Sequence, residues 1–286
     1  MATNRILLDV GGTFIKCSDG RMVPIVSCGS EEEIAAALKQ AINAPGTPGG
    51  AVDIGIAIPG PFDFRQGIFL MKHKFASVYG KKFTDIVDVP EGANLKFIHD
   101  VNSVLEGAIE MQGLQDRNVA LITIGTGLGF TYSIKGKVQY GPMLSPVRSL
   151  YNVPYGNGIL EDVVSARGIK NAYVEKTGRT TESAYDIAMR AYAGEIEAME
   201  VYNGVGEALA DVLPELLDEL EIDTLLMGGQ ISKSLNLMDR PIRNALEGIA
   251  VEQAPDGAVF RGIETLFANN QQPIQSICHS EHLPGS

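Results

Sequence analysis

Basic residues, cysteines and long apolar runs are all scarce in this chain, and each shortage removes a class of function. Lys and Arg total 23 against 35 Asp and Glu, a net charge of −12, and the pI is about 4.8. An acidic body of this kind repels a phosphate backbone, and no local basic patch offsets it, so nucleic acid is not an expected partner. The 3 cysteines, Cys17, Cys28 and Cys278, have no C-x-x-C spacing. They fit a reducing compartment and exclude a four-cysteine metal site, each reading as a small buried thiol. No apolar run approaches the roughly 18 residues of a membrane span. The first residues run into a strand-like segment rather than a charged-then-apolar leader. A soluble cytoplasmic protein without a membrane partner is the expectation.

What is present is ordinary globular material: 286 residues, 45% apolar and 20% charged, on the order of two average domains. Ile6-Leu7-Leu8-Asp9-Val10 reads as a buried strand, Gly11-Gly12 as a turn, and Thr13 to Cys17 and Met22 to Cys28 as returning strands. Ser30 with Glu33 forms a capping box ahead of a helix whose apolar face is Ile34, Leu38, Ala41 and Ile42. A loop over Pro45 to Gly50 leads to a strand at Val52 to Ile58, stopped by Pro59-Gly60-Pro61. Leu95 to Ile98 is a short strand, and Val101 to Gln112 a helix closed by Gly113.

The second half repeats this order. Val119 to Ile124 is a strand, Gly125-Thr126-Gly127-Leu128-Gly129 a turn, and Phe130 to Ile134 the strand coming back. Helices are expected at Ile159 to Glu175, Thr181 to Ala193, Glu195 to Leu220 with a break or kink near Pro214, and Lys233 to Leu246. Thr224 to Met227 is a strand ending at Gly228-Gly229. The duplication predicts two related α/β domains, residues 1–117 and 118–286, with a cleft between them.

Two glycine-rich hairpins, one per half, are the most informative feature. Bare glycine lets backbone N–H groups approach an anion, and a threonine adds a hydroxyl, so Gly11, Gly12, Thr13 and Gly125, Thr126, Gly127 are candidate phosphate contacts. Lys16 supplies a compensating charge, and Asp9 can hold a hydrated divalent cation beside the phosphates. The plainer alternative for each is an ordinary hairpin turn. Gly125 to Phe130 imitates half of a dinucleotide fingerprint but is followed by a β-like segment, and Gly228 to Ser234 lacks the glycine before the P-loop lysine. Asp100 falls just past the carboxyl end of a strand, where a carboxylate can take the proton of an attacking hydroxyl, or simply cap a helix. His99 beside it reads more readily as a packed histidine than as a catalyst.

In this order the segments resemble the ROK family of bacterial sugar kinases and sugar-responsive repressors. The resembling pieces are Asp9 to Lys16, Ile56 to Pro61, Asp100-Val101-Asn102, Thr123 to Gly129, Gly158-Ile159-Leu160-Glu161 with Ser165, and Leu226-Met227-Gly228-Gly229. The resemblance implies two actin-like ATPase (ribonuclease H-like) domains. It also implies an ATP-dependent hexose kinase of glucokinase or N-acetylhexosamine kinase type, using Mg²⁺ and forming a homodimer. It assigns Asp100 as catalytic base, Gly228 and Gly229 to the adenosine side, Gly60, His99, Asp100 and Glu161 to the sugar, and Asp9 to Mg²⁺ through water.

The departures are as specific. His99 stands where the family has asparagine. Gly141 to Tyr151 lacks the Gly-Glu-x-Gly-His segment, with its sugar-gripping glutamate and zinc-binding histidine. The cysteine-rich zinc loop is replaced by Asn152 to Ile159, so no structural zinc is expected. The region from Phe260 onward lacks the family's usual alanine- and glycine-rich helix. Two other functions compete: a binding protein that has lost catalysis, and a sugar-responsive repressor, for which eight residues ahead of Asp9 leave no room for a DNA-binding module.

Overall fold

The structure is a computed structural model that describes residues 4–43, 52–180 and 182–268. The expected loop at Pro45 to Gly50 and the thiol of Cys278 lie outside the described residues. The first half runs β1 (Asn4–Val10), β2 (Phe14–Cys17), β3 (Met22–Pro24), α1 (Glu31–Ile42), β4 (Val52–Ile58) and the small hairpin β5 (Phe62–Asp63) and β6 (Ile68–Phe69). It continues through α2 (Phe83–Ile86), β7 (Asn94–His99) and α3 (Asp100–Gln112). The strands build one sheet in the order β3-β2-β1-β4-β7, antiparallel across β3-β2-β1 and parallel across β1-β4-β7.

β1 reads as a continuous apolar run because both its faces are covered. Ile6, Leu8 and Val10 join the core that also takes Ile34 and Leu38 of α1, whereas Leu7 faces the other way, with Ala57 and Ile98. Ser30 and Glu33 form the expected capping box of α1. The strand expected to reach Cys28 stops at Pro24, because the following backbone turns to lace the glycine hairpin: the N–H groups of Ile25 and Ser27 donate to the carbonyls of Thr13 (2.9 Å) and Gly12 (3.4 Å).

The second half repeats the topology with β8 (Val119–Ile124), β9 (Leu128–Ile134), β10 (Lys137–Val138), a hairpin of β11 (Pro154–Tyr155) and β12 (Gly158–Ile159), α4 (Ala166–Thr177), α5 (Ala184–Tyr192) and α6 (Ile196–Glu219). β13 (Thr224–Gly228), α7 (Asp239–Ala245), β14 (Ala250–Gln253) and α8 (Ala258–Ala268) complete it. The sheet order is β10-β9-β8-β13-β14. The helix expected from Ile159 begins at Ala166 instead, since Pro154 to Ile159 pairs as a hairpin and Ser165 caps α4 through its hydroxyl. Of the break or kink expected near Pro214, the break does not occur: α6 runs on through that residue. The helix expected at Lys233 to Leu246 divides into a 3-10 stretch, Ile231–Leu237, and α7.

The region from Phe260, expected to lack the family's alanine- and glycine-rich helix, lies in a helix of different composition, α8, which starts at Ala258. α8 carries an amphipathic sequence whose Ile263 and Leu266 pack with Leu7, Ala57 and Ile98 on the free face of the first sheet. Its approach to α3 is close enough that a Cβ on Gly107 would lie 1.9 Å from the Ala258 carbonyl oxygen, and one on Gly262 1.8 Å from that of Ser103. The chain thus ends its described course on the sheet where it began.

Candidate active site

Each glycine hairpin leaves donors free. In the first, Gly11 donates its N–H to Phe14 O (2.9 Å), while the N–H groups of Gly12 and Thr13 have no partner among the described residues. In the second, Gly125 donates to Gly127 O (3.0 Å), and the N–H groups of Thr126 and Gly127 are likewise free. Adjacent unpaired N–H groups in a turn form an anion-binding concavity.

A cleft of about 770 Å³ opens between the two sheets, within the size range of ligand sites. Asp9, Gly11, Lys16 and Asp100 line it from the first half; Thr123, Gly228, Gly229, Gln230 and Lys233 line it from the second, with 253–260 at the side. Gly228 lies at the buried end of β13, and Gly229 takes φ +86, where a Cβ would lie 2.3 Å from Ile124 O. Glycine is required at that turn. Lys233 and Asp256 pair at the exposed edge of the cleft at 3.4 Å, a contact with no signature in the sequence.

The hairpin tip Gly125–Gly127 stands just beyond Thr123 and outside the lining residues. Glu161 lies on that tip: its Oε2 accepts the N–H of Leu128 at 2.9 Å and would meet a Cβ on Gly127 at 2.7 Å. Arg148, in the segment that departs from the family pattern, pairs with Glu219 of α6. Tyr151 is exposed.

Asp100 and Asp9 differ in their electrostatics. Burial pushes the Asp9 carboxyl above its usual range; Lys16, whose Nζ is 3.2 Å away, pulls it down, and neighbouring Asp100 pushes it up again. The pairing follows from register, since Asp9 and Lys16 face each other across β1 and β2. For Asp100 desolvation acts upward but is outweighed by His99, by the Val101 N–H and by Lys74, so its carboxyl is held below its usual range. Two carboxylates that raise each other's energy in one cleft form a donor set suited to a divalent cation. Among the described residues no three His, Cys, Asp or Glu side chains cluster to hold a metal by themselves.

His99 is the N-cap of α3 and Asp100 its first residue. Gly60 donates its N–H to His99 Nε2 at 3.2 Å, and Nδ1, 3.3 Å from the Val101 N–H, lies closer to Asp100 Oδ1 at 2.8 Å, a carboxylate oxygen that only accepts, so the ring proton belongs on Nδ1. The ring also packs on Phe64, with centroids 5.5 Å apart. A Cβ on Gly60 would lie 3.1 Å from Nε2, so a side chain there would push the His99 ring back by a few tenths of an ångström. Gly60, His99 and Asp100 form one hydrogen-bonded chain, as the sequence grouped them, but both nitrogens of His99 are engaged within the protein.

Sequence reasoning missed Lys74. Its Cε and Nζ each lie 3.7 Å from the place a Gly12 Cβ would take, and its charge reaches Asp100. Lys72-His73-Lys74 has the look of a solvated basic run, and no spacing rule separates its last member from the others.

The sequence profile of the ROK family matches residues 8–146 and 154–273. A glucokinase from Halalkalibacterium halodurans is 25% identical over 236 residues, covering 73% of this chain and 71% of that protein. The crystal structure of a ROK family glucokinase from Streptomyces griseus in complex with glucose and AMPPNP superposes with a TM-score of 0.73 at 20% identity, covering 92% of this chain and 98% of that one. The ROK hexokinase from Thermus thermophilus gives 0.66 at 21% identity, over 90% and 95% of the two chains. The fold, two sheets of repeated topology around a cleft, is that of the actin-like ATPases. With the profile spanning nearly all of the described chain, this protein belongs to the ROK family.

Proposed function

We propose that the protein is an ATP-dependent hexose kinase, moving the γ-phosphoryl group of ATP to a hydroxyl of a glucose- or N-acetylhexosamine-like sugar. The observation that carries this reading is the Asp100 carboxylate, which faces the same cleft as Asp9, Gly11, Gly228 and Gly229 and is oriented by His99. ATP brings the transferable phosphoryl group. The free N–H groups of Gly12 and Thr13, with Thr126 and Gly127 opposite, receive its phosphates, while Gly228 and Gly229 leave room for the nucleoside.

Asp9 would hold Mg²⁺ through water, and a cation there would offset the repulsion between Asp9 and Asp100. Lys16 keeps the Asp9 carboxylate in place. Asp100, ionised because its neighbours hold its carboxyl low, orients the sugar hydroxyl and takes its proton as the oxygen attacks phosphorus in line. Gly60 and His99 set the angle of that carboxylate beside the sugar. Glu161, held through Oε2 by the Leu128 N–H, offers the sugar its Oε1.

The two walls correspond to domains 1–117 and 118–286, with α8 returned to the first. The active form is a cytoplasmic homodimer. A coupled assay of ADP release across glucose, mannose, fructose, N-acetylglucosamine and N-acetylmannosamine, with and without Mg²⁺, tests the reading. Turnover with at least one sugar, abolished by chelation, is expected. Nucleotide binding without turnover on any of them removes it in favour of a binding protein.

A further inference from the structure

Beside the first glycine hairpin lies a cation that the motif pattern does not include. Lys16, the lysine of the motif, is occupied by Asp9 at 3.2 Å. Lys74 is half-buried and makes no ion pair within 4 Å among the described residues. Its ammonium nevertheless stands 3.7 Å from the position of a Gly12 Cβ, against the loop whose N–H groups are unpaired.

The placement is built rather than incidental. Phe75 donates its N–H to Ser27 O at 2.6 Å, and Cys28 Sγ donates to His73 O at 3.6 Å, so the backbone on both sides of Lys74 is bound to residues 27 and 28. The Ser27 N–H in turn holds the Gly12 carbonyl. Phe75 is fully buried against Phe69, with centroids 5.6 Å apart. One frame of hydrogen bonds therefore fixes the hairpin and the lysine relative to each other.

Resting on the kinase reading above, we propose that Lys74 is a catalytic residue that contacts the phosphoryl group during transfer. The acceptor oxygen forms its bond to phosphorus as the bond to the bridging oxygen of ADP breaks. The electron pair leaves with ADP, and the acceptor proton goes to Asp100. Negative charge spreads over the equatorial oxygens of the group in flight, and a preplaced ammonium gains most there. Lysine suits the position because it acts as a compact point charge on a group that moves.

The experiment compares wild type with Lys74→Met, Lys74→Arg and the neighbouring control Lys72→Met, using Mg-ATP and whichever sugar supports turnover. Lys74→Met is expected to lower kcat by roughly 10²- to 10³-fold, with the KM for sugar and the affinity for ADP little changed, and Lys74→Arg to restore part of the loss. Binding of ADP with aluminium fluoride, a planar mimic of the group in flight, is expected to weaken in Lys74→Met while ADP alone does not. That equilibrium readout applies even if turnover is too slow to measure. A kcat close to wild type, or a rise confined to the sugar KM, overturns the proposal and leaves the kinase reading standing. A Lys74→Met protein that has lost ADP binding altogether also overturns it, the lysine then being structural. A wild-type protein inactive on every sugar overturns both.

Discussion

At the scale of single residues the proposed chemistry concentrates on Asp100. A carboxylate at the end of β7 was legible because strand ends of α/β sheets collect functional groups. Its amide isostere keeps the shape and removes the basicity, so Asp100→Asn is expected to lower kcat by about 10²- to 10⁴-fold with ATP affinity, read by calorimetry, nearly unchanged. Near-normal turnover would end the assignment. His99 tests the electrostatics. The groups facing Asp100 are His99, Lys74 and Asp9, and the first two favour its ionised form while the third opposes it. Removing the Nδ1–H donor in His99→Phe raises the folded-state value, so protonation on acidification begins sooner. The acid limb of the kcat/KM profile moves to higher pH, with the neutral plateau largely kept. An unmoved acid limb, or one moved to lower pH, contradicts the geometry. Lys74 and Glu161 were less legible. The lysine carries no motif, and the glutamate is drawn to Leu128 by an unpaired backbone donor that only the folded hairpin presents.

At the scale of elements, periodicity and capping located β1, β4, β8, α1 and α3 well, since each has a clear apolar pattern and a punctuating residue at its end. The failures share a cause: tertiary hydrogen bonds that short-range patterns do not show. Residues 25 to 28 have strand composition but serve the hairpin beside them, and residues 154 to 159 pair locally before a helix that Ser165 starts. The crossing of α3 and α8 was wholly invisible, because Gly107 and Gly262 look like weak points of helices until their backbones are seen in contact. That crossing makes a stability prediction. A methyl at Gly107 or Gly262 has carbonyl oxygen within 2 Å of it, so one helix must shift. Either alanine variant is expected to destabilise by about 1 to 3 kcal/mol, read from urea denaturation. Because 257–260 line the cleft, affinity for an ATP analogue is expected to fall with it. An alanine variant as stable as wild type would mean the helices stand further apart than described.

At the scale of the molecule, two sheets with the same strand order, β3-β2-β1-β4-β7 and β10-β9-β8-β13-β14, share one cleft, and the duplicated glycine hairpins announced this in the sequence. What joins the halves was not announced. α3 belongs to the first sheet by its origin at β7, yet Thr131 of β9 donates its hydroxyl to Asn102 Oδ1 at 2.6 Å, and Gly129 is so near α3 that a Cβ would lie 2.4 Å from Val101 Cγ1. On its other side α3 binds α8, with Ser103 Oγ donating to Val259 O at 2.7 Å. The packed joint therefore runs along α3, supplemented by the Phe64 N–H donating to Met143 O at 3.2 Å, while the cleft walls stand apart beside it. Such a body bends about its joint more easily than it compresses. Nucleotide on one wall and sugar beside Asp100 would each favour the closed form, and the work of closing is done once for both. The affinity for a non-hydrolysable ATP analogue should thus rise by about 5- to 150-fold when the sugar is present, with an equal reciprocal gain for the sugar. Calorimetric titration of each ligand, alone and with the other saturating, reads both gains. Equal affinities in all arms would mean that the walls are held rigid by α3 and that water is kept from the phosphoryl group by some means other than closure.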